Sequence, residues 1–221
     1  MVKRYDEIVE YMKPKNDFVN NVTSIAVIGK RRSGKTALVY HLLRNAKKEV
    51  FVFRHPKPKL IRKLGYRQMY NFEELERIQN AIIWIDEPQL YLRGKAKKTN
   101  DGLMSLLSIS AQRDNCLILS TSDTRFINRG IESYIDVWLI KDIETKLVKQ
   151  GSMAQKIIKA NCLIDAEGFK LKKPEYLFYS RDHPELSGVH TFKKPTFFND
   201  NYSKPYAIKK EVKKLERQRK N

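Results

Sequence analysis

The sequence predicts an α/β protein in which a parallel β-sheet is flanked by helices. Apolar stretches with strand character alternate with helix-forming stretches along most of the 221-residue chain, as in β–α–β units with right-handed crossovers. The apolar run 25–28 is followed by a glycine-containing segment, residues 29–36, and then by a helix-forming stretch. A second strand-like run, 81–85, leads directly into Asp86 and Glu87. Because ligands of open α/β sheets bind at the carboxyl ends of the strands, both segments are candidates for a functional site.

Residues 29–36 match the phosphate-binding pattern G-x-x-x-x-G-K-[ST]. Glycine lets the backbone approach phosphate oxygens closely, and the N–H groups at the start of the next helix favour an anion. We expect Lys35 to contact the β- and γ-phosphates of ATP and the Thr36 hydroxyl to coordinate Mg²⁺. The predicted nucleotide-binding residues are Gly29, Lys30, Arg31, Arg32, Ser33, Gly34, Lys35, Thr36 and Ala37. The alternative is a chance glycine-rich loop before a helix.

The run 81–85 is apolar throughout, which is typical of a strand buried on both faces. Asp86 follows it and is expected to hold Mg²⁺, directly or through a bound water. Glu87 comes next and by strand alternation points in another direction, where its carboxylate would polarise a water for attack on the γ-phosphate. The alternative for Asp86 is a turn residue at the end of a strand.

A third buried strand is predicted at 116–121, and polar residues follow its end. If this strand lies between the strand of the phosphate loop and the Asp86 strand, its tip reaches the γ-phosphate or the attacking water. Thr121 and Ser122 are the candidates for this role. A helix cap or a turn explains the same polar cluster equally well.

The other elements alternate in the same way. The patterns predict helices at 5–12, at 35–46, from Phe72, at 101–112 and near 127–134, and strands at 24–28, 50–53 and 137–140. The helix from Phe72 has Asn71 as N-cap and Glu74 at the third helical position. After about residue 150 the character changes, so we assign residues 1–150 to the ATPase-like core and 151–221 to a C-terminal extension. The extension is expected to contain edge strands at 156–160 and 176–179, an extended arm at 181–206 and a basic helix at 207–221.

The formal net charge is +19. ATP alone does not require such a charge, so a polyanionic partner, DNA above all, is indicated. Adaptation to heat and a basic host proteome are the alternatives. The chain shows no apolar stretch of 18 residues and its N-terminus lacks a signal peptide core, so we expect a cytoplasmic protein, in the host cytoplasm if it is viral.

A basic segment follows the Asp86–Glu87 strand. It is expected to be a loop that contacts the phosphate backbone of DNA and moves on hydrolysis, and its proposed contact residues are Arg93, Lys95, Lys97 and Lys98. A solvent-exposed surface loop is the alternative.

The order of these features resembles the HerA/FtsK superfamily of DNA-pumping ATPases. It is most similar to the small viral genome-packaging ATPases and the Zot-like assembly ATPases of filamentous phages. The residues that carry the resemblance are the phosphate loop, the Asp86–Glu87 strand, the helix ending in Ala111-Gln112-Arg113-Asp114-Asn115, the strand ending in Ser120-Thr121, and Arg125-Phe126-Ile127-Asn128.

The resemblance implies a RecA-like core that forms a homo-oligomeric ring, usually a hexamer, around duplex DNA, with a capsid or portal-like structure as a further partner. It also implies an arginine that reaches the γ-phosphate of a neighbouring subunit. Arg113 stands where this residue is expected, with Arg125 and Arg129 in reserve. In the family the strand tip often reads Thr-Gln, whereas here it is Thr121-Ser122, so Gln89 or Gln112 would have to take the place of the glutamine.

The sequence therefore predicts an ATP-driven DNA translocase, with two alternatives. A Zot-like assembly or secretion ATPase would favour a membrane-spanning helix, for which the chain shows no candidate. A DNA-binding protein that ATP only gates would not need the carboxylate of Glu87.

Overall fold

The computed structural model describes residues 18–92, 96–144, 148–161, 164–165, 168–169, 171–199 and 202. The predicted basic helix at 207–221, the helix at 5–12, Arg93 and Lys95 lie outside these ranges. Among the described residues, no helix is long and apolar enough to cross a membrane.

Strands and helices alternate along most of the chain. The strands are β1 Ser24–Ile28, β2 Glu49–Phe53, β3 Arg67–Met69, β4 Ala81–Asp86, β5 Cys116–Thr121, β6 Val137–Ile140, β7 Ile143–Glu144, β8 Ile164–Asp165, β9 Gly168–Phe169, β10 Glu175–Ser180 and β11 Gly188–Thr191. The α-helices are α1 Lys35–Leu43, α2 Pro58–Lys63, α3 Phe72–Glu76, α4 Gln89–Leu92, α5 Ala96–Ser110, α6 Arg129–Tyr134 and α7 Met153–Ala160.

Within the described residues, eight strands form one sheet in the order β11-β10-β6-β1-β5-β4-β2-β3. The pairs from β6 to β3 are all parallel, and β10 and β11 add an antiparallel edge. Strands β7, β9 and β8 form a small separate sheet. The predicted α/β fold with a parallel sheet is confirmed.

Apolar side chains cover both faces of the sheet, as the continuous apolar runs predict. On one face, Val27, Trp84 and Ile118 pack against α1 and α2. On the other face, alternate residues of the same strands pack against α5, α6 and α7. Burial on both faces fixes the strands in register, because a slip by one residue would exchange the two faces.

The C-terminal arm also packs on the face that carries α1. Phe197 and Tyr202 contact the ring of Tyr40 edge-on, with ring centroids 5.8 and 5.5 Å away. The Tyr40 ring contacts Trp84 in the same way, at 5.1 Å. Aromatic side chains of the extension therefore complete the core beside the helix that follows the phosphate loop.

Two local predictions were wrong, and one strand was missed. Residues 156–160 form part of helix α7 rather than a strand, because Ser152 caps the helix and Ala154, Ile157 and Ile158 share its buried face. Helix α5 begins at Ala96, so Lys97 and Lys98 lie in its first turn and not in a loop. Strand β3 was missed because it is short and polar.

Candidate nucleotide-binding site

Three strand ends meet at one edge of the sheet. Strand β5 lies between β1 and β4, and the pairing places Ile28 beside Thr121 and Asp86 beside Ser120. The phosphate loop, the polar tip of β5 and the Asp86–Glu87 pair therefore leave the sheet at adjacent positions. The predicted position of the 116–121 strand, between the other two, is what the structure shows.

The phosphate loop requires glycine at its first position. A Cβ on Gly29 would lie 2.6 Å from Lys141 Cβ and 2.7 Å from Ser33 Oγ, which is too close for any side chain. Gly34 has φ of +99° and immediately precedes α1, a conformation that disfavours residues with a Cβ. The loop is also held by Asp142, whose carbonyl accepts from Lys30 N at 2.8 Å.

Helix α1 presents unpaired N–H groups to the loop. Its first helical hydrogen bond runs from Leu38 N to the carbonyl of Gly34 at 3.0 Å. The amides of Lys35, Thr36 and Ala37 therefore come before the first backbone N–H that donates within the helix. These groups, together with the helix dipole, form the kind of site that binds phosphate oxygens.

Lys35 is nearly buried, with 7% of its surface exposed. Its Nζ donates to the carbonyl of Gly29 at 2.7 Å and to that of Lys30 at 3.2 Å, and lies 3.7 Å from Glu87 Oε1. Burial lowers the pKa of Lys35, and the Glu87 and Asp86 carboxylates oppose that shift. The ammonium group of Lys35 is thus held by the carbonyls of its own loop, beside the Glu87 carboxylate.

Asp86 is buried at the end of β4, and Ser120 Oγ donates to its Oδ1 at 2.6 Å. Ser120 in turn accepts from Trp84 Nε1 at 2.9 Å, so the carboxylate is held through the neighbouring strand. Burial raises the pKa of Asp86 to about 6. Among the described residues, no cation lies within ion-pairing distance of this carboxylate.

These residues fit Mg²⁺, which prefers hard oxygen ligands and keeps several waters. Asp86 offers a buried carboxylate that lacks a paired cation, and Thr36 offers a half-buried hydroxyl in the first turn of α1. A divalent cation would supply the positive charge that the buried Asp86 carboxylate lacks.

Glu87 turns out of the strand with φ of +46°. This left-handed backbone brings its carboxylate toward Lys35, although simple strand alternation predicts a different direction. Its Oε2 accepts from both the backbone N, at 3.1 Å, and the hydroxyl, at 3.0 Å, of Ser122, and also from Gln89 Nε2. The carboxylate predicted to be catalytic therefore has a fixed position beside Lys35 of the phosphate loop.

Gln89 is a residue that the sequence named only as a possible replacement for the glutamine after Thr121. Besides donating to Glu87, it accepts at its Oε1 from Thr121 Oγ1 at 3.1 Å. Gln89 therefore connects Thr121, at the end of β5, to the carboxylate of Glu87, which follows β4. The signal was its position two residues after Glu87, but the sequence alone could not choose between Gln89 and Gln112.

The remaining predicted site residues lie elsewhere. The carbonyl of Arg113 accepts from Asn80 N at the amino end of β4, roughly 20 Å of strand away from Asp86. Arg113 is therefore remote from the phosphate loop of its own chain. Helix α5, which carries Lys97 and Lys98, follows closely after Glu87 in the chain.

No protein-family model matches the sequence, and no curated protein matches it significantly. Solved structures do match. The DNA-packaging ATPase B204 of Sulfolobus turreted icosahedral virus is 18% identical, with a TM-score of 0.56 over 77% of this chain and 98% of that one. The genome-packaging NTPase B204 of Sulfolobus turreted icosahedral virus 2, in complex with ATP-gammaS, is 14% identical, with a TM-score of 0.56 over 80% and 98%.

A more distant likeness is to the cytoplasmic domain of the type VII secretion ATPase EccC of Thermomonospora curvata. It is 12% identical, with a TM-score of 0.51 over 81% of this chain and 24% of that one. These similarities agree with the strand order and the loop geometry in assigning the P-loop NTPase fold to this chain.

Replacing Asp86 by Asn should stabilise the protein in Mg²⁺-free buffer at neutral pH, by roughly 1–3 kcal/mol. Burial raises the pKa of Asp86 from 3.8 to about 6. Above pH 6 the carboxylate is ionised in the folded protein, and this lowers the free energy of unfolding. This destabilisation disappears when the pH falls below the pKa of Asp86 in the unfolded chain, because the carboxyl group is then protonated in both states.

Denaturant unfolding of both proteins at several pH values measures this difference, which should be largest above pH 6 and vanish near pH 3.5. Asp182→Asn, at an exposed carboxylate, is the control and should change little. A destabilised Asp86→Asn protein at neutral pH would contradict the expectation.

Proposed function

We propose that the chain is an ATP hydrolase that translocates DNA, of the type that packages genomes. The observation that carries the hydrolase part is the position of Glu87, whose Oε1 lies 3.7 Å from the Nζ of Lys35. A carboxylate at that position can accept a proton from a water that attacks the γ-phosphate. A protein that only binds nucleotide has no use for such a group.

Nucleotide binding would use the loop amides and Lys35. Triphosphate oxygens would replace the carbonyls of Gly29 and Lys30 as acceptors for the Lys35 ammonium. Thr36 and Asp86 would hold Mg²⁺, which supplies charge neutralisation on the transferring phosphoryl group when bound. Positioning and charge stabilisation account for most of the catalysis in such sites.

The polar contacts of Glu87 would govern when it acts. With Ser122 and Gln89 donating to Oε2, the carboxylate is held in one orientation. Oε1 faces Lys35 and is the oxygen available to a water on the nucleotide side. Thr121 takes part indirectly, through its hydrogen bond to Gln89.

DNA as the transported polymer is supported by charge. The net charge of +19 suits a polyanion better than it suits a polypeptide, although a secretion ATPase is among the structural neighbours. The neighbours described as packaging ATPases support the same choice. A capsid or portal-like structure is the further partner that this proposal implies.

A homo-oligomeric ring is proposed from the placement of Arg113. Since Arg113 lies at the amino edge of the sheet, roughly a full strand length from the loop, it can serve only the site of another subunit. In a ring with head-to-tail contacts, the amino edge of one subunit can meet the carboxyl edge of the next.

Glu87→Gln should retain MgATP binding and lose ATP turnover by roughly 10²–10⁴-fold, the usual contribution of a general base. Lys35→Ala should lose both binding and turnover. Steady-state phosphate release together with calorimetric titration separates the two effects. The exposed Glu73 provides the control Glu73→Gln. Full turnover in Lys35→Ala or Glu87→Gln would refute the role proposed for that residue, and absence of turnover in the wild-type chain would refute the hydrolase assignment.

Duplex DNA should stimulate ATP turnover of the assembled protein. Lys97→Ala with Lys98→Ala should weaken DNA binding without sequence preference, because phosphate contacts carry no sequence information. The slope of log K for DNA binding against log salt concentration should become shallower by about one to two, because two phosphate contacts are lost. The pair Lys59→Ala and Lys63→Ala, exposed on α2, has the same charge change and should have a smaller effect. An unstimulated monomer that binds DNA would favour an ATP-gated DNA-binding protein.

Arg113→Ala should lose turnover and keep nucleotide binding, because a trans arginine is worth roughly 10³–10⁵ in rate. An equimolar mixture with Glu87→Gln should recover activity. About one interface in four then combines an intact Glu87 from one subunit with an intact Arg113 from its neighbour. Absence of any recovery in mixed oligomers of verified mass would remove the trans role of Arg113.

A further inference from the structure

Lys141 is fully buried directly beneath the phosphate loop. Its backbone N donates to the carbonyl of Ile28, at the end of β1, at 2.7 Å, and its Cβ fills the space that a side chain at Gly29 would need. Its ammonium group lies near Gly34, where a Cβ would be 3.6 Å from Cε and 3.9 Å from Nζ. The charge therefore lies behind the residue that precedes helix α1.

The Lys141 ammonium is bound by groups without formal charge. It donates to the carbonyl of Lys173 at 2.6 Å and to that of Glu175, and it lies 4.9 Å from the centre of the Phe192 ring. Among the described residues, no carboxylate lies within ion-pairing distance of it, because Asp142 pairs with Lys30. The Glu175 carboxylate accepts instead from Lys172 N.

Burying a lysine at this position costs folding free energy. A buried charge loses hydration that carbonyls and a ring restore only in part, and the start of a helix already carries positive partial charge. An apolar residue could fill the same space without this cost. A lysine here is consistent with a site whose ligand brings negative charge to the other side of the loop.

We propose that Lys141 is a positioning residue of the phosphate site, which anchors the loop to residues 173–175 and adds a buried positive charge behind it. The inference rests on the proposed nucleotide binding. Lys141 acts through the loop and does not touch the phosphates. The strand pair β10–β11 and Phe192 would then belong to the nucleotide site, although they lie in the extension.

The titration of Lys141 supports this role. Burial lowers its pKa to about 8, against the opposing influence of the Glu175 and Asp142 carboxylates. Lys30 and Lys35 are the nearby cations on the loop side. A triphosphate raises the pKa of a nearby ammonium, so nucleotide binding near pH 8 should draw a fraction of a proton onto Lys141.

The test compares Lys141→Met and Lys141→Gln with the wild-type chain. Gln keeps an N–H donor for the carbonyls of Lys173 and Glu175 but removes the charge. Both variants should bind MgADP and MgATPγS roughly tenfold more weakly, as expected for one lost charge several ångströms from phosphate in a partly desolvated site. Their melting temperatures should equal or exceed that of the wild-type protein, because a buried unpaired charge is removed.

Calorimetry at pH 8 in buffers of different ionisation enthalpy gives the proton linkage. The wild-type protein should take up more protons on MgADP binding than either variant, and the difference isolates Lys141 from Lys35. Lys48→Met is the matched control, because Lys48 is a largely buried lysine paired with Asp114 near the amino edge of the sheet, and it should bind nucleotide normally.

Two results would overturn the inference. Affinities within twofold of wild type, with unchanged proton uptake, would show that the charge does not reach the phosphates. Wild-type affinity in Lys141→Gln together with weaker binding in Lys141→Met would assign Lys141 a purely structural role, because the hydrogen bonds and not the charge would then matter. If the wild-type chain bound neither nucleotide, the proposed function itself would fail, and this outcome is distinct from the other two.

Discussion

The position of β5 between β1 and β4 is the constraint on which the rest of the site depends. Parallel pairing brings Ile28, Thr121 and Asp86 to the same edge of the sheet, so three segments far apart in the chain leave the sheet side by side. Burial on both faces fixes that pairing. Without it, Lys35 would have no carboxylate opposite it, and the phosphate loop would be an isolated anion site.

The polar groups at this edge of the sheet hydrogen-bond to one another. Lys35 uses the carbonyls of its own loop, Asp86 is held by Ser120, and Glu87 is held by Ser122 and Gln89. Buried polar groups need partners, so the proposed nucleotide and metal would have to replace these contacts with their own. Lys35 contacts both the phosphate loop and the Glu87 carboxylate. An anion bound in the loop would therefore change the charge that Glu87 faces.

Local pattern was sufficient wherever an element is long, apolar and buried on both faces, as β1, β4 and β5 are. It failed for α7, which was predicted to be a strand. Ser152 caps this helix, and its buried side chains recur every three to four residues. It also failed for Lys97 and Lys98, since polar residues in the first turn of α5 do not differ in composition from a loop. Strand β3 offers too few apolar residues to be predicted.

The sequence by itself determined the chemistry of the site: a loop that must bend at Gly29 and Gly34, a lysine and a hydroxyl at the start of a helix, and two carboxylates after a buried strand. These follow from residue types a few positions apart. Tertiary structure alone decided that Gln89 rather than Gln112 reaches Glu87, that Lys141 lies beneath the loop, and that Arg113 lies at the opposite ends of the strands from its own site. Such contacts join residues far apart in sequence, and only the order of strands and the paths of the crossovers determine which of them meet.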